Sequence, residues 1–90
     1  MLICIPRMES FIQNSYIKKT FEVNEIGKVI KIIEIPHKNN PAYKRVIVNI
    51  DLKKDSKTKE IIEDRFSKSL DVKLVHSSPW YWKMMEAKYK

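Results

Sequence analysis

Hydrophobic and polar residues alternate along several stretches of the chain with the two-residue period of a β-strand. In the clearest case, Val46 and Val48 alternate with Arg45 and Ile47, so one face of the strand is apolar and the other carries a different set of side chains. Other stretches are rich in Val, Ile and aromatic residues, which favour strands. The pattern predicts four main strands, at residues 2–6, 28–35, 43–50 and 80–86.

Two further stretches have the spacing of amphipathic helices. Ile17 and Phe21 lie four residues apart, and Ile62, Phe66 and Leu70 continue the same spacing in a later segment. Residues at this spacing share one face of a helix, which is then buried. The spacing predicts helices at residues 14–24 and 57–69.

Capping and turn residues set the expected ends of these elements. Asn14 is a suitable N-cap for the first helix, and Asp55 or Ser56 for the second. Pro6 is expected to stop the first strand, because proline cannot donate a backbone hydrogen bond. Gly27 is expected in the turn that returns the chain from the first helix to a strand.

Two segments leave alternatives open. Ile32 and Ile33 are adjacent, which predicts either a β-bulge or burial on both faces of the strand. The last segment alternates like a strand, although Ser78-Pro79 is also a helix-start signal that would place a helix at residues 80–88. We favour the strand.

The order of elements is β-α-β-β-α-β, with VKLV at residues 72–75 as a short hairpin arm before the last strand. This order predicts an α+β fold, a ferredoxin-like sandwich with a four-stranded antiparallel sheet and two helices on one face. Arg45 and Ile47 then point to the other, open face of the sheet. The predicted core consists of Ile5, Ile17, Phe21, Val46, Val48, Ile62 and Phe66.

Length and cysteine content are typical of one small intracellular domain. The 90 residues are expected to form a single domain at residues 1–90. The one cysteine, Cys4, cannot form an intramolecular disulfide, and a free thiol fits a reducing compartment. The N-terminal apolar run is too short for a signal peptide, and no stretch approaches the roughly 20 apolar residues of a membrane span.

The net charge of +7 and the pI of about 9.6 bear on which partners the protein would bind. A basic protein favours polyanions such as nucleic acid. A lysine-rich surface that is merely solvated explains the same composition. Charge alone leaves both interpretations open.

The layout resembles the RNA recognition motif. Residues 3–8 lie where that family has its first-strand hexamer, and residues 43–50 lie where it has its third-strand octamer. Residues 26–29 resemble the opening of its second strand, and residues 79–87 its last strand. The resemblance covers nearly the whole chain and implies binding of single-stranded RNA or DNA through the open sheet face.

A second resemblance rests on CIPR at residues 4–7, YKRV at residues 43–46 and PWYWK at residues 79–83. In this order they are similar to small uncharacterised proteins of large amoeba-infecting DNA viruses of the marseillevirus or mimivirus type. That similarity implies a viral protein in the host cytoplasm (including the viral factory), the nucleus or the virion.

The positions that stack bases in the RNA recognition motif are altered here. Carried over by position, Cys4, Arg45 and Ile47 occupy the places of its aromatic residues, and Tyr43 occupies a basic place. Arg45 can stack through its guanidinium plane, and Tyr81 offers one ring. The resemblance therefore implies weak and unselective binding. The candidate nucleic-acid contacts are Arg7, Lys31, Tyr43, Arg45, Ile47, Tyr81 and Lys83.

The alternative is a protein-interaction or homodimerisation module that uses the same face. Cys4, Ile47, Tyr81 and Met85 would make that face apolar enough to bind a protein or a second copy of the chain. Trp80, Trp82 and Met84 alternate with other residues in the last strand. We expect them in the core, with a binding surface as the alternative.

Catalysis is not expected. Acylphosphatases share the predicted layout and need a phosphate-cradling loop after the first strand, but residues 7–14 contain no glycine. Cys4 is distant in sequence from His37 and His76, the bases that a thiol nucleophile requires. No Cys or His residues have zinc-ligand spacing. The sequence therefore predicts no catalytic residues, no cofactor and no metal.

Overall fold

The computed structural model describes residues 1–53, 57–77 and 80–87. Its elements, in chain order, are β1 (Leu2–Glu9), α1 (Asn14–Val23), β2 (Gly27–Pro36), β3 (Tyr43–Leu52), α2 (Lys57–Ser67), β4 (Val72–Ser77) and β5 (Trp80–Glu86). The predicted strand at residues 80–86 is confirmed. In the described ranges, neither helix has the length and hydropathy that crossing a bilayer requires. The proposed caps Asp55 and Ser56, and the Ser78-Pro79 signal, lie outside the described residues.

The sheet has five strands in the order β2-β3-β1-β5-β4, and the neighbouring strands are antiparallel. The prediction of a four-stranded ferredoxin-like sandwich with the order βαββαβ was therefore wrong. The VKLV segment is the start of a complete strand, β4, which pairs with β5 from Val72–Met84 to Ser77–Trp80. Val72 packs against the core and Leu74 is buried in it, while Lys73 is exposed. The segment therefore has the alternation of a full strand.

β1 continues past Pro6, where the sequence predicted its end. The register between β1 and β3 shifts between Ile5 and Met8, which marks a bulge around Pro6 and Arg7. Proline is tolerated at a bulge because no ladder hydrogen bond is required there. The Nε2–H of His37 donates to the Pro6 carbonyl oxygen at 2.8 Å and ties this bulge to the segment after β2.

β2 contains a second bulge, between Val29 and Lys31, with Ile30 as the extra residue. The adjacent Ile32 and Ile33 predicted either a bulge or burial on both faces at that point, and neither occurs there. Both residues pair regularly with β3, and the bulge lies earlier, at Ile30. Ile32 packs against the core, whereas Ile33 is exposed and pairs with Ile47 of β3.

The core prediction is confirmed, since all seven residues belong to one buried cluster to which both helices contribute. Leu70 was predicted in the buried stripe of α2 and is exposed instead. The helix ends at Ser67, and Ser69 then adopts a positive φ of 58°. This reversal turns Leu70 away from the stripe, and its N–H donates to the Arg65 carbonyl oxygen at 2.8 Å.

Two local predictions around α1 were wrong. Asn14 is the first helical residue, and Gln13 takes the N-cap position without a side-chain capping bond. Glu25, with a φ of 55°, makes the turn after α1, while Gly27 already opens β2. Glycine is needed at position 27 for another reason, because an added Cβ would lie 2.9 Å from the Cα of Leu52 on the neighbouring strand.

Candidate functional site

The strand registers separate the core side of the sheet from its other side, which we call the second face. An apolar row crosses four strands on the second face. Ile33 pairs with Ile47, Ile47 with Cys4, and Cys4 with Met85. The ends of the row, Ile33 and Met85, are exposed.

The middle of this row is covered. Ile47 is only 1% exposed, and Cys4 is also buried. The Nε–H of Arg45 donates to the Cys4 sulfur at 3.3 Å, and Arg45 shares a cavity of about 370 Å³ with the end of α2 and the turn after it. The second face is therefore not uniformly open as the sequence predicted, and Ile47 is inaccessible to a ligand.

An accessible and charged part of the second face lies at the bulge of β1. Pro6 and Arg7 of β1, together with Trp80, Tyr81 and Lys83 of β5, line a cavity of about 510 Å³. Trp80 is 67% exposed and Tyr81 is 44% exposed. We call this cavity the basic aromatic cleft.

The bulge in β1 and the strand β4 supply the cations around this cleft. Arg7 lies in the bulge, and its guanidinium carbon lies 4.0 Å from the centre of the Tyr43 ring, in a cation–π contact. On the other side, Lys73 Nζ lies 5.0 Å from the centre of the Tyr81 ring. Both tyrosine rings are thereby held beside a positive charge.

Lys73 and Lys83 lie directly opposite each other in the β4–β5 register, and both are exposed. Like charges in a direct cross-strand pair destabilise a sheet. An anion bound between the two ammonium groups would relieve this repulsion. Lys83 lines the cleft, and Lys73 adds a second positive charge beside it.

The structure brings together only part of the site that the sequence predicted. Arg7, Tyr81 and Lys83 line the cleft, and Tyr43 adjoins it through Arg7. Lys31 is exposed on the edge strand β2, opposite Asn49. The two remaining candidates are Arg45 and Ile47, of which the first contacts Cys4 and the second is buried.

One residue of the cleft region, Lys73, was not predicted from the sequence, and Trp80 was placed on a binding surface only as the alternative to the core. Lys73 has a readable signal, since it alternates with Val72 and Leu74, but it required β4 to be recognised as a full strand. Trp80 was expected in the core with Trp82 and Met84, and only these latter two are buried. Trp80 is the first residue of β5. It continues the alternation of the strand but lies beyond the buried residues of the core.

The cysteine and the histidines make structural contacts. Cys4 accepts from Arg45, His37 donates to Pro6, and His76 Nδ1 lies 3.2 Å from the Tyr16 hydroxyl. Within the described ranges, no three His, Cys, Asp or Glu side chains cluster in a way that could hold a metal ion.

The resemblances to the RNA recognition motif and to viral proteins stay predictions. They rest on short stretches of sequence, and the sheet has one more strand than the motif implied. Function is therefore inferred from the chemistry of the cleft. No family model matches the chain, and neither a curated protein nor a solved structure matches it significantly.

Proposed function

We propose that this protein binds single-stranded nucleic acid, RNA or DNA, in the basic aromatic cleft. One observation carries the proposal: a single cavity joins the exposed rings of Trp80 and Tyr81 to the cations of Arg7 and Lys83. Aromatic platforms beside a positive groove are the combination that binds bases and phosphates together.

The rings supply the first part of the binding energy. Stacking of a base on an aromatic side chain contributes about 1–3 kcal/mol. By the resemblance to the RNA recognition motif, Cys4, Arg45 and Ile47 occupy the positions of its stacking rings. Trp80 and Tyr81 offer rings from β5 instead, so the proposed contact is displaced from the centre of the sheet towards β1 and β5.

The cations supply the second part. Arg7 presents a planar guanidinium that suits a phosphate, and Lys73 and Lys83 form a like-charged pair that an anion relieves. The net charge of +7 adds long-range attraction to a polyanion. Binding through phosphates is expected to be largely independent of base sequence.

Fluorescence anisotropy with short labelled single-stranded oligonucleotides at low salt tests the proposal. Trp80→Ala is expected to weaken binding about fivefold or more, the equivalent of one lost stacking contact. Val23→Ala, which truncates an exposed apolar residue on α1, is the matched control and should leave affinity unchanged. The proposal fails if no oligonucleotide binds, or if both variants bind like the unmodified protein.

A second candidate function is self-association, and the edge strand β2 favours it. β2 lies at one end of the sheet and exposes Ile30, Ile33 and Ile35. An exposed edge with apolar side chains is a template for pairing with another strand. In contrast to the earlier expectation, Cys4 and Ile47 cannot form this interface directly, because they are buried.

Light scattering over a range of protein concentrations tests self-association. The candidate predicts a dimer that Ile35→Lys dissociates, because the substitution places a charge on the apolar edge. Lys38→Ala, in the exposed segment after β2, is the control. A monomeric mass at every concentration excludes the candidate.

A further inference from the structure

A second cavity lies next to the basic aromatic cleft and has a different character. It has a volume of about 590 Å³, and Glu9, Phe11, Tyr16, His76 and Trp80 are among its lining residues. Phe11 is 78% exposed and Trp80 is 67% exposed, so two large rings are available to a ligand. We call this cavity the aromatic groove.

Glu9 is the acidic residue of the aromatic groove, and one of its oxygens has no partner. Within the described part of the chain, Oε2 of Glu9 is shielded from solvent and accepts no hydrogen bond. A buried acceptor without a donor is unfavourable, more so when it is charged. The terminal torsion of a glutamate side chain is soft, so a donor brought by a ligand would be able to draw this oxygen into a hydrogen bond.

Contacts between α1, β4 and β5 hold one wall of the groove in place. The Tyr16 hydroxyl donates to the His76 carbonyl oxygen at 3.0 Å. The His76 ring stacks on the buried Trp82 with centroids 4.3 Å apart and planes 16° apart. This wall of the groove is therefore already in place before a ligand binds.

Trp80 lines both the groove and the basic aromatic cleft. A single strand in the cleft can therefore pass one base around Trp80 into the groove while its phosphates stay near Arg7 and Lys83. The negative charge of Glu9 repels phosphate, so the groove favours the base over the backbone.

The Glu9 carboxylate can only accept hydrogen bonds, so it favours the base that offers the best-placed donors. Guanine alone presents two adjacent N–H donors, N1–H and the 2-amino group, which match the two oxygens of a carboxylate. We infer that the aromatic groove binds a guanine base, with Glu9 accepting from its Watson–Crick edge and Phe11 and Trp80 contacting its faces. This inference rests on the proposed function, since the cleft must first hold the strand.

Three short RNAs that differ at one position test the inference: hexauridine, the same RNA with one guanosine, and the same RNA with inosine in place of guanosine. We expect guanosine to tighten binding about five- to 100-fold over uridine, as a bidentate contact to a base does. Inosine lacks the 2-amino group and should fall between the two. Glu9→Gln keeps the side-chain size and should remove the guanosine preference while hexauridine binding is unchanged.

Glu22→Gln, an exposed glutamate on α1, is the matched control and should keep the guanosine preference. Equal affinity for the three RNAs, with hexauridine still bound, overturns the inference and leaves the proposed function standing. A preference that survives Glu9→Gln also overturns it. Glu9-dependent binding of an arginine-containing peptide, with no preference for guanosine, overturns it in favour of a protein ligand. Loss of binding to every RNA by the unmodified protein rejects the proposed function and the inference together.

Discussion

At the scale of single residues, burial separates side chains of the same type. Phe66 is 5% exposed within the core, whereas Phe11 is 78% exposed at the aromatic groove. Phe66→Ala is expected to lower the free energy of unfolding by about 3–5 kcal/mol, through lost burial and the cavity left behind. Phe11→Ala should change it by less than about 0.5 kcal/mol. Chemical denaturation of both variants checks this, and a loss under about 1 kcal/mol for Phe66→Ala would contradict the assigned core.

The seven predicted core residues could be identified because they follow the hydrophobic period of their strands and helices, whereas the burial of Ile47 could not be predicted from that period. The exposure of side chains at the ends of elements could not be predicted, because it depends on where the neighbouring elements end. Leu70 keeps the spacing of the α2 stripe yet lies beyond the helix, and Trp80 keeps the period of β5 yet lies beyond the core. Lys44 shows the opposite effect: it is a buried lysine that bonds to Glu34 of β2 and to the Ile12 carbonyl oxygen, partners that only the folded sheet supplies.

At the scale of elements, the β4–β5 hairpin contains a lysine pair of the candidate site that is expected to lower the free energy of unfolding. Lys73 and Lys83 repel each other across the hairpin. Lys83→Glu replaces the repulsion by an attraction and should raise the free energy of unfolding by about 0.2–1 kcal/mol. The same substitution should weaken binding to single-stranded nucleic acid, because it removes a cation from the cleft.

Thermal unfolding and anisotropy on the same Lys83→Glu sample check these opposite effects. Lys19→Glu reverses the charge of an exposed lysine on α1 and controls for net charge. If Lys83→Glu lowers stability, or leaves binding unchanged relative to Lys19→Glu, the assigned role of the lysine pair is wrong.

The types of the main elements could be predicted, but the full fifth strand and the bulge in β1 were not. Strand and helix period indicated both helices and the last strand, residues 80–86. Pro6 predicts the end of a strand, because proline cannot donate a ladder hydrogen bond. The bulge at Pro6 and Arg7 accommodates the proline, so the strand continues. That bulge and the fifth strand are the features that place Arg7 and Lys73 beside the cleft.

At the scale of the whole molecule, the charge of +7 is compatible with both a solvated surface and a polyanion-binding protein. The positions of the cations relative to the aromatic rings support the proposed polyanion binding. Arg7 contacts the Tyr43 ring, Lys73 contacts the Tyr81 ring, and Lys83 lines the cleft together with Tyr81. The sequence alone could not show this grouping, because the residues come from four different strands.

The dependence of single-stranded RNA affinity on salt tests this account most directly. Three phosphate contacts, to Arg7, Lys73 and Lys83, predict that the logarithm of the binding constant falls by about 2 for each tenfold rise in salt, since each contact contributes about 0.7 for single strands. The double variant Arg7→Ala, Lys83→Ala should reduce this slope to about 0.7. The control Lys18→Ala, Lys19→Ala removes the same charge from α1 and should keep the slope near 2. Equal slopes for both double variants, or no binding of RNA at low salt, would contradict the account.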